Sequence, residues 1–600
     1  MKISFFHPER YLNIGIPSGI ATLGALAKQH GHEVEVFDTT LIKPKSYTAS
    51  HVISEKDVER NVSAGDETAP IVKGQIGIFK QTAVTLEDLV VDDEAVDYSE
   101  ALQRTIDRFS PDLIAISAMT TTFQFACDLI QTVKHNAKVI VGGVHPTIAP
   151  DDCIAQPGID IACIGEADRT FVELINRMAE GKDYTTVKSM WVKLADGTVR
   201  KNELDPRFFD LDDLPTPDWS IFDERHLFRP YDGQIYKGSL YSQSRGCPMR
   251  CAYCVDPTIA EITGGRSGYF RVQSPQTTYK QLKELYDLHG ATWFKFVDDT
   301  FLLPKIEHLE ELRDLIKPLN IMFGCSVMPN TIRPEKVALA REMGCVAMSI
   351  GVESGDPEIR KSVMRRYKNE ELIERLKTVK DHGIRISTFN MIGFPGETRE
   401  QAFRTIELNR NLGADACNVY ILYPYPGSPI AISHNIPLRD ADGRIPEATE
   451  SGKLGLSTMG EEELEGIRQT FNAYLYAPKT LWPVVKLAER DTDPGHATLA
   501  MVKQFIVEML SGSEILSTPI TDHVTDLDAV SCEQPDLEIP LVFSPIFGLG
   551  YDQETTAIIV NAFLRYARGD DALIEQNASE IKNPEIIDQP PFAGDLRSFM

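Results

Sequence analysis

Two stretches of this chain alternate short apolar runs with amphipathic ones, and that alternation sets the expected fold. In the first, residues 3–6, 34–38, 113–117, 139–142 and 161–164 are short apolar runs that read as buried strands. Between them, residues 20–30 and 123–135 carry apolar side chains at helical spacing. Strand and helix in turn predict a doubly wound, Rossmann-like parallel sheet over residues 1–182. A polar, charge-rich stretch, residues 44–100, interrupts it and reads as an insertion with partial helix.

From residue 240 the alternation restarts with a longer period. Strands are predicted at 240–243, 294–297, 322–326, 347–351, 385–391 and 416–421, with helical patterns at 277–289, 306–319, 334–343, 370–382 and 399–412. Six such units predict a partial (β/α)6 TIM-type barrel, open on one side, over residues 236–450. Residues 183–235 read as a connector. Its runs at 190–194 and 198–201 flank Ala195-Asp196-Gly197, a hairpin turn signal, and the prolines of Leu214-Pro215-Thr216-Pro217 forbid continuous helix. Residues 451–600 read as mainly helical, with helices at 461–476 and 499–510 and a loosely structured acidic tail from 533.

Composition narrows the class of protein. A chain of 600 residues has room for about three or four domains with cores of their own. No apolar run approaches the roughly 20 residues of a membrane span. The opening Met1-Lys2-Ile3-Ser4-Phe5-Phe6 turns polar too soon for a signal peptide, so a cytoplasmic protein with reduced thiols is expected. The net charge of −27 argues against a general nucleic-acid binder, which needs a basic footprint.

The chemistry concentrates in Cys247-Pro248-Met249-Arg250-Cys251-Ala252-Tyr253-Cys254, just past the first strand of the second alternation. With 10 cysteines in 600 residues, three at this spacing arise by chance about three times in a thousand, so the arrangement calls for a function. Soft thiolates select iron–sulfur or zinc centres. Zinc needs a fourth ligand, and nothing nearby offers a second C-x2-C or a close Cys/His pair. Three thiolates on one loop can instead hold three irons of a cubane and leave the fourth open, unlike ferredoxin runs with four cysteines. The other cysteines lack ligand spacing and read as small core residues.

This loop, with Tyr253 before its last cysteine, resembles the signature of radical S-adenosylmethionine (SAM) enzymes. Phe296-Val297-Asp298-Asp299-Thr300-Phe301, Gly351-Val352-Glu353-Ser354-Gly355, Gly393-Phe394-Pro395-Gly396-Glu397-Thr398 and Pro424-Tyr425-Pro426-Gly427-Ser428-Pro429 follow at successive strand ends. Together they resemble the class B subgroup, which carries an N-terminal cobalamin-binding domain, over about residues 1–480.

The resemblance implies a [4Fe-4S] cluster on Cys247, Cys251 and Cys254, with SAM on the open iron. It places Tyr253, Asp298, Glu353, Ser354, Gly393 and Glu397 around SAM, with acidic and hydroxyl groups accepting from its amino group and ribose. Asp298-Asp299 has a duller reading as a helix N-cap. In the first sheet, Ser117, Thr121, Gly142-Gly143, His145 and Gly165 lie at or after strand ends, where a doubly wound sheet binds its ligand. There the resemblance implies a slot for the cobalamin tail. No Asp-x-His-x-x-Gly motif follows the first strand, where His7-Pro8-Glu9-Arg10-Tyr11-Leu12-Asn13 stands, so no protein histidine is expected on cobalt. The implied activity is methylation of an unactivated carbon in a small-molecule, lipid or natural-product substrate, fed by an electron donor such as flavodoxin or ferredoxin. Radical cyclisation or C–C bond formation is the alternative chemistry. A non-catalytic cobalamin- or metal-binding sensor is the alternative from another class.

Overall fold

The structure is a computed structural model that describes residues 1–9, 15–45, 96–205, 209–231, 234–265, 268–446, 454–510, 516–519 and 538–569. Most of the expected insertion, residues 46–95, lies outside the described residues.

Strands β1 (Lys2–His7), β2 (Glu33–Asp38), β3 (Leu113–Ser117), β4 (Lys138–Gly142) and β5 (Ile161–Cys163) form a parallel sheet in the order β2-β1-β3-β4-β5. Adjacent β1 residues serve opposite faces, because side chains alternate along a strand. Phe5 packs on Phe171 at 5.7 Å between ring centroids, beneath helices Ser18–Gln29 and Asp168–Ala179. Phe6 joins Ile106 and Phe123 beneath helices Tyr98–Phe109 and Thr120–Thr132. The predicted hairpin, β6 (Met190–Lys193) and β7 (Val199–Lys201), continues this sheet, with β6 antiparallel to β5.

The second sheet runs β16-β15-β14-β13-β12-β9-β8. Strands β9 (Gln234–Tyr241), β12 (Trp293–Phe296), β13 (Met322–Val327), β14 (Cys345–Glu353), β15 (Arg385–Ile392) and β16 (Ala416–Ile421) are parallel. β8 (Phe228–Tyr231) pairs antiparallel with β9. With β8 and β16 as its two edges the sheet does not close, so it is a partial barrel. Its first parallel strand begins at Gln234 rather than 240, since its first half is mostly exposed and is held by the β8 ladder instead of an apolar core. Along β15 every second residue (Ile386, Thr388, Asn390, Ile392) is buried, and Arg385, Ser387, Phe389 and Met391 take the other face.

The C-terminal region corrects one expectation. The helix expected at 461–476 is Glu461–Tyr476, the one expected at 499–510 starts earlier, as Asp493–Leu510, and Trp482–Leu487 was not foreseen; residues 538–569 do not form a loose tail. Phe543, Ile546, Ile559, Val560 and Phe563 are buried against Phe505 and Val485, and helix Gln553–Ala567 supplies three of them. The acidic composition of the tail hid an apolar stripe that only partner helices could bury. Among the described residues, no helix is long and apolar enough to cross a membrane.

Candidate active site

β10 (Ser244–Arg245) pairs antiparallel with β11 (Arg271–Val272), and the chain enters the cysteine loop at Gly246. Gly246 has φ of 78°, and a Cβ there would lie 2.5 Å from the Tyr269 carbonyl oxygen, so this turn requires glycine. Cys247, Cys251 and Cys254 are all free thiols; Cys251 is buried and the other two half-buried. The Cys254 N–H donates to the Cys251 carbonyl at 3.1 Å, and the Asp256 N–H donates to Cys254 Sγ at 3.5 Å. Tyr269 Oη donates to Asp256 Oδ1 at 2.7 Å and so fixes the exit of the loop against the same segment that fixes its entrance.

Burial pushes the Cys247 thiol up to about 12, against a backbone hydrogen bond from Met249, and burial raises Cys251 and Cys254 as well. Iron takes thiols as thiolates, so cluster binding releases these protons. No three His, Cys, Asp or Glu side chains among the described residues converge on a single metal ion. A cubane takes one thiolate per iron, so thiols spaced along a loop fit a cluster better than a zinc site.

Beside the loop stands a buried polar trio. Tyr253 Oη donates to Glu353 Oε1 at 2.8 Å, and Arg365 Nη2 donates to the same oxygen at 2.8 Å. Arg365 Nε also donates to Tyr253 Oη at 2.8 Å. Glu353 adopts φ of 67°, uncommon for a residue with a side chain, at the C-terminal end of β14. Burial raises its carboxyl, and Arg365 opposes that shift. Arg365 Nη1 is buried with no hydrogen-bond partner among the described residues, which leaves one charged donor available to a bound carboxylate. Sequence reasoning missed Arg365, because nothing local separates it from its exposed neighbour Arg366.

The remaining barrel residues divide. Asp298 is 2% exposed and accepts from Ser244 Oγ and from the Gln243 N–H at 3.4 Å; burial lifts it to about 6. It thus ties the β12 end to the entrance of the cysteine loop. The cap reading does not hold, since the next helix, Ile306–Ile316, starts seven residues past Asp299 with Lys305 at its cap. Asp299 is pushed up to about 7 by burial and by the charges of Asp256 and Asp298.

Ser354 and Glu397, expected against SAM, are held in the strand-end loops. Ser354 is fully buried in a turn, its Oγ taking the Asp356 N–H at 3.1 Å and its carbonyl taking Arg360 Nη1 at 2.6 Å. Glu397 is fully buried, and its Oε2 accepts the N–H groups of Gly393 (2.6 Å) and Phe394 (3.1 Å), while burial lifts its carboxyl to about 7. Both side chains shape loops through these contacts, while Glu397 Oε1 is buried with no hydrogen-bond partner among the described residues. The Oε2 contact takes up the Gly393 N–H.

In the N-terminal sheet, Ser117, Gly142, Gly143 and Gly165 line one cavity of about 230 Å³ at the C-terminal strand ends, together with Glu166, Asp168 and Arg245. Gly143 has φ of 110°, and a Cβ would stand 2.6 Å from the Ala118 carbonyl oxygen. Gly165, at φ 78°, donates its N–H to Thr147 Oγ1 at 3.0 Å. This donor-poor, glycine-floored slot suits a flat group lying close to backbone.

Thr121 and His145 do not line it. Thr121 sits half-buried in the first turn of helix Thr120–Thr132. His145 is fully buried and stacked on Phe123 at 4.0 Å, with Nε2 on Asp152 Oδ2 (3.2 Å) and Nδ1 on Thr120 Oγ1 (3.4 Å); burial holds its pKa below the usual value. Arg439, from beyond the barrel, donates from Nη2 to the same Asp152 oxygen at 2.9 Å. His145 therefore joins the two domains and lies outside the lining of that cavity. His7 lies at the end of β1, also away from the cavity lining.

Comparisons with known proteins agree with this geometry. The radical SAM superfamily profile matches residues 241–408 and the B12 binding domain profile residues 72–175. An uncharacterised methyltransferase of Pyrococcus horikoshii is 29% identical over 347 residues, 56% of this chain and 72% of the relative. The anaerobic magnesium-protoporphyrin IX monomethyl ester cyclase of Rubrivivax gelatinosus is 24% identical over 352 residues, 57% of this chain and 61% of that enzyme. The fold is similar to that of the radical SAM methyltransferase TsrM from Kitasatospora setae, solved with cobalamin and a [4Fe-4S] cluster. There the TM-score is 0.53 at 16% identity, over 74% of this chain and 79% of that one. With the cysteine loop at the barrel mouth and a glycine-floored cavity beside it, this chain belongs to the radical SAM enzymes that carry a B12-binding domain.

Proposed function

We propose that this protein transfers a methyl group from SAM, by way of cobalamin, to an unactivated carbon of a small molecule. When bound, the cluster supplies the electron that cleaves SAM to a 5′-deoxyadenosyl radical, and cobalamin carries the methyl group. The observation that carries the reading is a shared wall: Arg245 lines the 230 Å³ cavity and stands two residues before Cys247. A cofactor tail in that cavity puts the rest of the cofactor beside the cysteine loop, at the mouth of the barrel.

In this reading Cys247, Cys251 and Cys254 hold the cluster. Arg365 pairs with the SAM carboxylate through its unpartnered Nη1, and the Glu353 carboxylate accepts from the SAM amino or ribose groups, with Tyr253 bracing both. Asp298, Ser354 and Glu397 keep the strand-end loops in shape. Ser117, Gly142, Gly143 and Gly165 form the slot for the cobalamin tail. A flavodoxin or ferredoxin delivers the electron, and exposed Arg250, Lys361, Arg366 and Lys368 around the loop are cations that an acidic donor would meet. The protein works in the reducing cytoplasm.

The test is anaerobic incubation of cluster-loaded protein with cobalamin, reductant, a cell extract and SAM labelled in its methyl group. The reading expects a small molecule with a new labelled methyl, and S-adenosylhomocysteine and 5′-deoxyadenosine formed together. Formation of 5′-deoxyadenosine without S-adenosylhomocysteine or label transfer would replace it with cyclisation or C–C bond formation, the chemistry suggested by the cyclase relative.

A further inference from the structure

The two halves of the molecule meet in a partly buried ion-pair network that none of the cofactor roles above uses. Glu166 and Asp168 follow β5 and line the cavity; Asp168 is 4% exposed. Arg245 donates to Asp168 Oδ2 at 2.6 Å and Oδ1 at 3.1 Å, and reaches Glu166 Oε2 at 3.4 Å. Arg271 grips Glu166 through both terminal nitrogens, one of them 3.1 Å from Oε2, and also donates to the Phe209 carbonyl at 3.0 Å. Arg245 and Arg271 are themselves cross-strand partners in the β10–β11 ribbon.

That ribbon frames the cysteine loop at both ends. Gly246 follows Arg245 and abuts the Tyr269 backbone, and the Tyr269 hydroxyl holds Asp256, whose N–H holds Cys254. The helix leaving the loop, Asp256–Ile262, ends at Thr263, whose methyl lies 3.4 Å from where a Gly165 Cβ would be. A continuous path of side-chain and backbone contacts therefore runs from the wall of the cavity to a sulfur of the cluster loop.

We propose that the β10–β11 ribbon, through Arg245 and Arg271 on Glu166 and Asp168, is a strap that couples occupancy of the N-terminal cavity to assembly of the cluster loop. The inference rests on the cobalamin and cluster assignments above. Filling the cavity presses Glu166 and Asp168 into one arrangement, the two arginines fix the ribbon, and the ribbon fixes the entrance and exit of the loop. Coupling of this kind is reciprocal, so each cofactor must raise affinity for the other by the same factor.

The measurement is the dissociation constant for hydroxocobalamin, by equilibrium dialysis read as cobalt. It is made on the full-length protein with the cluster reconstituted and again without it. The ratio of the two constants is the readout, which cancels any direct effect of Glu166 on the cavity. Wild type is expected to bind about fivefold or more tightly with the cluster present. In Glu166→Gln the ratio falls to within twofold of one while both cofactors still bind. Arg271→Lys, which keeps the charge and loses the two-pronged grip, gives an intermediate ratio and decides the matter if the first variant does not fold. A wild-type ratio of one, or an unchanged ratio in both variants, overturns the strap. Failure of wild type to take up cobalamin in either state overturns the cofactor reading and the strap with it.

Discussion

Replacing Gly143 with alanine should close the cofactor slot by moving its floor. At φ 110° and ψ −162° the backbone occupies a region open essentially to glycine alone, at a cost of about 1–3 kcal/mol for any other residue. The new Cβ would also stand 2.6 Å from the Ala118 carbonyl oxygen and 3.2 Å from its nitrogen, both backbone atoms. Those atoms are tied down, since the Ala118 N–H donates to the Gly142 carbonyl at 2.9 Å. The clash cannot be relieved by turning a side chain, so the total is about 3 kcal/mol, which corresponds to roughly 6–12 °C in the melting of a domain of this size. Gly142→Ala provides the internal control. Its Cβ would find nothing closer than 3.9 Å and its φ is ordinary, so it should melt like wild type and weaken only cobalamin binding, by projecting into the cavity. The assay is a calorimetric scan of cluster-free protein beside a hydroxocobalamin titration for each variant. If Gly143→Ala melts within a degree of wild type and loads cobalamin normally, the close approach to Ala118 does not govern the slot.

Three other outcomes follow from the site. Asp298 has a folded pKa of about 6 against an ordinary 3.8, so its contribution to stability is full below about pH 4 and is lost as pH rises through about 6. Asp298→Asn, which cannot ionise, should gain on wild type over that window by up to about 3 kcal/mol, and melting curves at pH 5 and 8 that keep the same gap would contradict the buried-carboxyl argument. Arg365→Lys should keep the cluster, measured as iron content, but lose most SAM binding, because one ammonium cannot serve Tyr253, Glu353 and a carboxylate together; wild-type SAM affinity would remove Arg365 from the site. The cob(II)alamin form should show no nitrogen splitting from a protein ligand in its electron paramagnetic resonance spectrum, and His7→Ala and His145→Ala should leave that spectrum unchanged. Splitting lost in His145→Ala would mean that the imidazole leaves its stack on Phe123 and its bond to Asp152.

The sequence alone determined what rests on local spacing. The two alternations of strand and helix gave the parallel strands of both sheets, with positions within a residue or two except at β9, because burial of a strand or a helix face writes its period directly into the chain; the antiparallel edge strand β8 was not read. The cysteine loop was legible for the same reason: ligands of one cluster on one tight turn must be close in sequence. What depended on partners far along the chain was not legible. Arg365 is distinguished from Arg366 only by Glu353 and Tyr253, the latter 112 residues away. Ser354 and Glu397 carried the right chemistry at strand ends, yet Thr405 and Arg360 engage the first, and the backbone of Gly393 takes one carboxylate oxygen of the second. His145 was placed on a ligand edge by its glycines, whereas Phe123, Asp152 and the distant Arg439 make it a domain clamp. The helix at 553–567 looked like part of an acidic tail until Phe505 and Val485 supplied a surface for its apolar stripe. Periodicity and motif spacing report a residue's neighbours within a turn or a loop; the free energy that assigns a polar side chain to structure or to a ligand depends on which groups the fold brings against it.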